Sequence, residues 1–493
     1  MMSHLTSTPI IWSIAGSDCS SYAGIQADIK TANNLSVHCY SIISAVTSQN
    51  SKKLVSIMPT NNQLFTDQIA ILHNGYRPTV VKSGMIANEE QAITLSKYLN
   101  KNSDIFYICD PVSISSSGSE LCSDRTKKTI KSLLFPRANL LTPNLHEAIE
   151  ISNINHNNIH EIAKKIIKDY KCSSVLIKGG HIDETESTDL YATNDTYFSI
   201  SHKRNYNHNN IRGTGCALST AIASEISKGL NIYESIFNAK QYISYQIKNA
   251  ININDKNSIM RHINITSKDY PTLPNIYSDK NLKMNYNFSN PETTIGLYPI
   301  VNEPEKIHSF SNTPVKIVQL RVKNKTHDII NREIKKAVAI CKQYNIKLFV
   351  NDYWELAIKH KAYGVHLGQK DITAIALKKI SDHGLYLGIS THSRFELALA
   401  LSISPSYIAL GPIYKSNTKS NLISLDHGIS KIREWKYYLK NIPLVAIGGI
   451  KLEHMNNIYN AGANGIAVIE FLSKAENINK SITDANNIFL QHI

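Results

Sequence analysis

Residues 346–371 read IKLFVNDYWELAIKHKAYGVHLGQKD. A β-branched and aromatic run, 346–352, closes on Asn351-Asp352. A second apolar run, 363–368, closes on a glycine and is soon followed by Asp371. Runs of this length separated by a dozen residues describe parallel strands joined by crossovers. The same unit recurs on both sides. Further strand candidates are 294–301, 315–322, 385–391, 407–413, 444–450 and 465–472. Helical patterns such as NREIKKAVAICKQYN and SRFELALALS fill most of the gaps. Eight strands with helices or loops between them is the count of a (β/α)8 TIM barrel; an open doubly wound sheet is the alternative. Gln319, Arg321, Asn351, Asp352 and Ser390 fall at C-terminal strand ends, where such barrels place their sites.

Working outward, the rhythm breaks at 266–293, which carries three prolines, many asparagines and no sustained period. It reads as a linker. The chain then divides into 1–265, the linker 266–293, and 294–493. The first part also alternates: PIIWSIAG, CYSIISAVT, TVVKSGM, IFYICDPV, NLLTPN, SVLIKGG and the pair DLYAT and TYFSISHK are strand candidates. Helices fall between them and two long ones follow Thr214. A three-layer α/β/α sheet covered on both faces is expected.

The totals exclude several classes. No apolar run is long enough to span a bilayer. Seven cysteines without CxxC pairs or metal-like spacing argue against a disulfide framework and for a reducing, cytoplasmic setting. A formal net charge of +14 suits a polyanion partner, but the lysines are spread evenly and form no basic arm. Small phosphorylated substrates fit that charge as well; nucleic acid and membrane are not expected partners, and a homo-oligomer is left open.

In the first part, Gly213-Thr214-Gly215-Cys216 opens a helical pattern. Glycines let backbone come close to a ligand, and the first helical amides carry the positive end of the dipole. Together they suit phosphoryl oxygens, and the same field lowers a thiol pKa, so Cys216 is placed to act as a base or to line the pocket. Taken alone, the motif equally describes a small-residue helix start that merely packs. Asp110-Pro-Val, Asn144-Leu-His-Glu147 and Lys178-Gly-Gly-His181 each end a strand. An amide and a carboxylate one turn apart, as in Asn144 and Glu147, suit Mg²⁺ held through water, and Lys178 suits a nucleotide phosphate. Capping and loop chemistry are the competing readings.

Taken in order, IAGSDCSSYAGIQADIKT, AVTSQN, KSGMI, DPV, LTPNLHEA, LIKGGH and GTGC resemble the hydroxymethylpyrimidine/phosphomethylpyrimidine kinases of the ribokinase-like family, over about 9–262. The resemblance implies two phosphorylations by ATP. It implies Gln49 and Met85 at the pyrimidine, Cys216 in the catalytic position with Gly213 and Gly215 in an anion hole, Asp110, Asn144 and Glu147 at the nucleotide and Mg²⁺, and Lys178 at the nucleotide. Ser21 and Tyr22 stand where that family carries glycines, Ser116 where it carries a lysine, and Arg212 where it carries a histidine.

In the second part, Gln319, Arg321 and Lys323 alternate along one strand and project to one side, as a diphosphate clamp needs. Asp352 and Asp371 are natural Mg²⁺ ligands once a diphosphate supplies further oxygens. Each of these also reads singly as a surface charge or a turn. GLYPIV, VQLRVK, LFVNDYWELAIKHKAYGVHLGQKD, LGISTH, PSYIALGPIY, NTK and VAIGGI resemble thiamine-phosphate synthase, over about 294–472. The resemblance implies condensation of a pyrimidine diphosphate with a thiazole phosphate. It assigns Gln319, Arg321, Lys323, Asn351, Ser390 and Lys419 to the pyrimidine diphosphate. It gives Asp352 and Asp371 to Mg²⁺, and Ser416, Thr418, Gly448, Val468 and Ile469 to the thiazole phosphate. Glu470 stands where that family carries a serine. Three readings therefore go forward: a bifunctional enzyme, an active synthase whose kinase half is a scaffold, and a basic nucleic-acid-binding protein.

Overall fold

The computed structural model describes residues 8–50, 53–112, 118–156, 158–179, 185–204, 211–254, 257–263, 272–278, 286, 288–291, 294–414 and 428–492. The chain divides into two compact units, 1–279 and 280–493.

The first unit is built on β1 (Ile10–Asp18), β2 (His38–Gln49), β3 (Leu54–Pro59), β4 (Val80–Ser83), β5 (Phe106–Cys109), β6 (Leu140–Leu141), β7 (Val175–Ile177), β8 (Glu186–Ala192) and β9 (Tyr197–Lys203). A small hairpin, β10 (Ile251–Asn254) with β11 (Asn257–Ile259), stands apart, and β12 (Asn275–Ser278) returns to the main sheet. The sheet order is β12-β9-β8-β7-β6-β5-β4-β1-β2-β3. The pairs from β2 through β7 are parallel, while β3, β8, β9 and β12 join antiparallel at the edges.

Alternation along β1 explains the layers. Trp12 and Ile14 face one side and pack into a core with Phe65, Leu95, Ile151, Ile162 and Ile166 from four helices. Ser13 faces the other side and donates to Asp28 on the helix Gly24–Asn34. Period-two alternation therefore gives the strand two buried faces, and helices cover both. Four strands were not among the candidates: the hairpin pair β10 and β11, and β3 and β12 of the main sheet. β3 alternates weakly and is mostly exposed, so it lacks a buried face to advertise it. β12 lies inside the segment read as linker; four residues, NIYS, bury only Ile276 fully and pair with β9 through backbone bonds.

The second unit is a closed barrel of β13 (Gly296–Val301), β14 (Ile317–Leu320), β15 (Lys347–Asn351), β16 (Gly364–Leu367), β17 (Tyr386–Thr391), β18 (Tyr407–Leu410), β19 (Leu444–Ile447) and β20 (Gly465–Val468). Each strand pairs in parallel with the next, and β13 closes on β20. All eight lie inside the runs read from the sequence, with the ends trimmed, and the open-sheet alternative is excluded by closure. The interior is packed by Tyr298, Phe349, Tyr407, Ile317, Val445 and Ala467.

Large rings need small neighbours. A Cβ on Gly388 would lie 2.2 Å from the Tyr407 ring, and one on Gly364 2.4 Å from the Phe349 ring. The layer therefore tolerates no added methyl. Gly388→Ala is expected to destabilise the barrel by about 1–3 kcal/mol, the usual cost of overpacking. A calorimetric scan should show the drop in one transition. An unchanged barrel transition would mean that Tyr407 is not held against β17.

Candidate active sites

In the first unit, the loop after β1 folds around one carboxylate. Asp18, almost fully buried, accepts from the Ser20 amide at 2.8 Å, the Ser20 hydroxyl at 2.7 Å and the Ala23 amide at 3.0 Å. This closes a tight turn in which Ser21 takes φ of 59°. A serine there bears a strain of about 1–2 kcal/mol that a glycine would not. Gly213 adopts φ of 75° and packs so closely that a Cβ would lie 1.9 Å from the Tyr22 carbonyl oxygen. Loop and helix start thus wedge each other. The helix Thr214–Ser227 begins at Gly213 with no side-chain cap. Its first amides are left for a ligand.

A cavity of about 1060 Å³ runs past this point. Its walls include Gln49, Met85, Asp110, Asn144, Glu147, Lys178, Gly213, Gly215 and Cys216. Tyr22 and Arg212 border it too. The structure thus brings the assigned kinase-site residues to one cavity; Ser21 is not on its wall, and Ser116 and His181 lie outside the described residues.

Several of these groups have partners that the sequence does not disclose. Lys178 Nζ donates to Asp110 Oδ1 at 2.7 Å, and Thr142 and Ser219 hydroxyls also reach the Asp110 carboxylate at 3.1 and 3.2 Å. Burial opposes the Lys178 charge, but Asp110 and Glu147 outweigh it and raise its pKa. Asn144 and Glu147 form a reciprocal capping box on the helix Leu145–Ser152, with bonds of 2.9 and 2.8 Å. Capping therefore coexists with the cavity position, and each side chain has already committed one acceptor. Glu147 is lifted to about 7, first by burial and then by Asp110, with Lys178 pulling the other way.

Cys216 departs from expectation. It is only half-buried by area, yet withdrawal from water pushes its thiol up to about 11; Lys82 opposes the rise, while Asp110 and Asp28 add to it. The helix field lowers a thiol pKa in isolation, but here desolvation wins, and the neutral thiol prevails at pH 7.

Lys82, in the KSGMI motif, carries no role in the sequence reading. It is wholly buried and donates to Asp28 Oδ2 at 2.8 Å. Asp28 also accepts from Ser13 at 2.5 Å and Thr220 at 2.7 Å. The one local signal is its place in β4 after Val80 and Val81, where a charge needs a buried partner.

In the barrel, Gln319 and Asn351 are buried, Arg321 and Ser390 are partly buried, and Lys323 is exposed. Asp352 takes φ of 65° immediately after β15, and its amide bonds the His366 carbonyl at 3.0 Å. Its carboxyl pKa is raised by burial and then by Asp371, against the pull of Lys323 and Arg321. Two carboxylates and two cations therefore share one neighbourhood at the C-terminal rim. Asp371 closes a turn on Gly368, whose added Cβ would stand 3.0 Å from Asp371 Oδ2. No three His, Cys, Asp or Glu side chains gather as a metal site among the described residues. Gly448 has φ of 101° and packs on Pro412, while Val468 ends β20 and Ile469 opens the next short helix. Glu470 pairs with Lys474 at 2.6 Å, so its charge is answered locally. Ser416, Thr418 and Lys419 lie outside the described residues.

A cavity beside uncapped helix amides, and a barrel rim where two carboxylates stand near two cations, are both suited to phosphate-bearing ligands, as in phosphate-transferring enzymes. Comparison with known proteins gives the families. Residues 18–261 match the model for phosphomethylpyrimidine kinase and 299–472 that for thiamine monophosphate synthase. The chain is 42% identical to the thiamine-phosphate synthase of Citrobacter koseri over 182 residues, 37% of this chain and 86% of that protein. It is 27% identical over 94% of its length, and 86% of the other, to the "Probable thiamine biosynthetic bifunctional enzyme, chloroplastic" of Oryza sativa subsp. japonica. The pyridoxal kinase of Staphylococcus aureus in complex with AMP-PCP superposes with a TM-score of 0.50 and 25% identity, over 55% of this chain and 99% of that one. The chain belongs to the bifunctional thiamine biosynthesis enzymes, with a ribokinase-like phosphomethylpyrimidine kinase domain and a TIM-barrel thiamine-phosphate synthase domain. Neither the scaffold reading nor the nucleic-acid reading finds support. No helix among the described residues is long and apolar enough to cross a membrane.

The raised Glu147 carboxyl carries a testable pH dependence. Its folded pKa of about 7 lies above the unfolded value, so its stabilising contribution is complete at low pH. That contribution is lost as pH rises toward and through 7. Without nucleotide or metal, the melting temperature of the kinase unit should fall from pH 5 to pH 8. In Glu147→Gln, which retains the cap, the fall should be smaller. Parallel curves for the two proteins would show that Glu147 titrates normally.

Proposed function

We propose that the first unit phosphorylates 4-amino-5-hydroxymethyl-2-methylpyrimidine and then its monophosphate from ATP. The second unit joins the resulting diphosphate to a thiazole phosphate, releasing pyrophosphate and thiamine phosphate. The single observation that carries the kinase reading is the shared cavity: the pyrimidine residues Gln49 and Met85, the nucleotide residues and the uncapped helix start all line it.

In the kinase, Gln49 and Met85 hold the ring so that its hydroxymethyl group faces Cys216. The amides from Thr214 to Cys216 take the charge on the phosphoryl group in flight. Arg212 and Lys178 answer the nucleotide charge from the side. The minor ionised form of Cys216 takes the hydroxyl proton while the new O–P bond forms, and ADP departs with the electrons of the broken one. In the synthase, Gln319, Asn351 and Ser390 hold the pyrimidine, and Arg321, Lys323 and Lys419 receive the departing pyrophosphate. Gly448, Val468 and Ile469, with Ser416 and Thr418, receive the thiazole phosphate.

Mg²⁺ fits both sites. Glu147, lifted by burial beside Asp110, and Asp352, lifted beside Asp371, are carboxyls whose ionisation a cation would favour. Asp110, Asn144 and Glu147 would serve it in the kinase, and Asp352 and Asp371 would hold it in the synthase, phosphate oxygens completing the shell. When bound it neutralises phosphate charge as the P–O or C–O bond breaks. A reducing compartment, such as the cytosol, suits seven cysteines that are all free.

The test supplies the pyrimidine alcohol, ATP, Mg²⁺ and thiazole phosphate and assays thiamine phosphate. Cys216→Ala should cut the yield about a hundredfold or more, restored by adding preformed pyrimidine diphosphate. Asp352→Asn should cut it in a way the diphosphate does not restore. Wild-type kinase kcat should climb between pH 7 and 9 as the thiolate fraction grows below its raised pKa, about 11. Product formation indifferent to both substitutions would sink these assignments.

A further inference from the structure

The barrel interior holds a polar chain that none of the assigned roles uses. Gln319 Nε2 donates to Tyr298 Oη at 3.4 Å. Tyr298 Oη lies 3.0 Å from Tyr407 Oη, and Tyr407 Oη lies 2.7 Å from His366 Nδ1. His366 Nε2 lies 2.7 Å from Ser390 Oγ. Tyr298 and Tyr407 are fully buried, and His366 is nearly so. The chain crosses from β14 to β17 through β13, β18 and β16. Its two ends, Gln319 and Ser390, are both residues proposed above to hold the pyrimidine.

Hydrogen counting gives the chain a direction. A phenol has one hydrogen and a neutral imidazole has one N–H. Two directions use every hydrogen, and the Gln319 amide, with Nε2 toward Tyr298, selects the one in which the Tyr298 hydrogen goes to Tyr407 and that of Tyr407 to His366 Nδ1. The imidazole hydrogen is then on Nε2 and goes to Ser390 Oγ. Ser390 keeps its own hydrogen for a ligand, and Gln319 keeps its carbonyl oxygen as an acceptor. The Ser390 carbonyl is already taken by Gln369 Nε2 at 2.7 Å, which fixes that strand end.

We infer that Tyr298, Tyr407 and His366 are positioning residues for the synthase reaction. They form one directional hydrogen-bond chain that presents an acceptor at Gln319 and a donor at Ser390, matched to a 4-aminopyrimidine edge. The amino group donates and the adjacent ring nitrogen accepts. A 4-oxopyrimidine has the reverse pattern, an accepting carbonyl beside a donating N–H. Set against this direction, it leaves acceptor facing acceptor at Gln319 and donor facing donor at Ser390. The chain thus sets specificity from residues that never touch the ring. This rests on the reading of Gln319 and Ser390 as pyrimidine contacts.

The test uses the full chain with preformed pyrimidine diphosphate and thiazole phosphate, and omits ATP so that the kinase half leaves the probes unchanged. The 4-amino and 4-oxo pyrimidine monophosphates serve as non-reacting competitive inhibitors. The intact enzyme should favour the amino probe by about tenfold or more, as expected where a mismatched ring leaves buried polar groups unpaired. In Tyr298→Phe and Tyr407→Phe that ratio should fall by about fivefold or more, through weaker binding of the amino probe, with kinase activity retained. A ratio unchanged in both variants, with both inhibition constants moving together, reduces the chain to packing and overturns the inference. Gln319→Leu and Ser390→Ala separate the two claims. If neither alters inhibition by the amino probe, the pyrimidine site itself is misassigned. If they do while the tyrosine variants do not, only the chain fails.

Discussion

A parallel strand delivers the residue after its last buried position to the same edge as its neighbour does. Both halves of this chain are organised by that delivery. In the first unit, β5, β6 and β7 hand Asp110, Asn144 and Lys178 to one rim, and β1 hands over the Asp18 turn. In the second, β14, β15 and β17 hand over Arg321, Asp352 and Ser390. Strand backbones are saturated by their ladders, so polar chemistry collects where the ladders stop. Groups more than a hundred residues apart are thereby made neighbours without any loop having to be long.

The two sites handle similar phosphate chemistry with different local means. The kinase withdraws its groups from water. Glu147 and Cys216 are both pushed toward their neutral forms, and Lys178 is retained as a cation only because Asp110 and Glu147 outweigh burial. The barrel keeps its clamp nearer the surface. Lys323 is exposed, and Asp352 is raised partly because a second carboxylate stands beside it. The first arrangement waits for nucleotide and metal to complete its charges. The second is a balance of opposed charges that a diphosphate with its cation resolves.

Much of this was legible in the sequence, and the limits have physical reasons. All eight barrel strands announced themselves because each is buried on both faces and reads as a continuous apolar run. β3 and β12 did not, since edge strands gain their place from backbone pairing, which no side-chain pattern records. Every described candidate in the kinase half was found on the cavity wall, yet Lys82 was missed. A lysine is read as a surface residue unless its partner is known, and Asp28 lies 54 positions away. The thiol went wrong in direction for a related reason. The helix start is local and visible, whereas the desolvation that outweighs it comes from distant elements. Tyr298, His366 and Tyr407 were likewise hidden, each looking like ordinary core until the barrel closed around them.

The Lys82–Asp28 contact has a consequence for how this domain can change over generations. The pair ties β4 to the helix Gly24–Asn34, and Thr220 and Ser13 bind the same carboxylate. Removing either partner alone strands the other's charge in a dry interior, at a cost of about 3–5 kcal/mol, a large part of a domain's whole stability. Replacing both together by apolar residues need cost little. Lineages of this domain are therefore separated by a valley at these two positions: they keep both residues or lose both, and an ancestor holding only one should be rare.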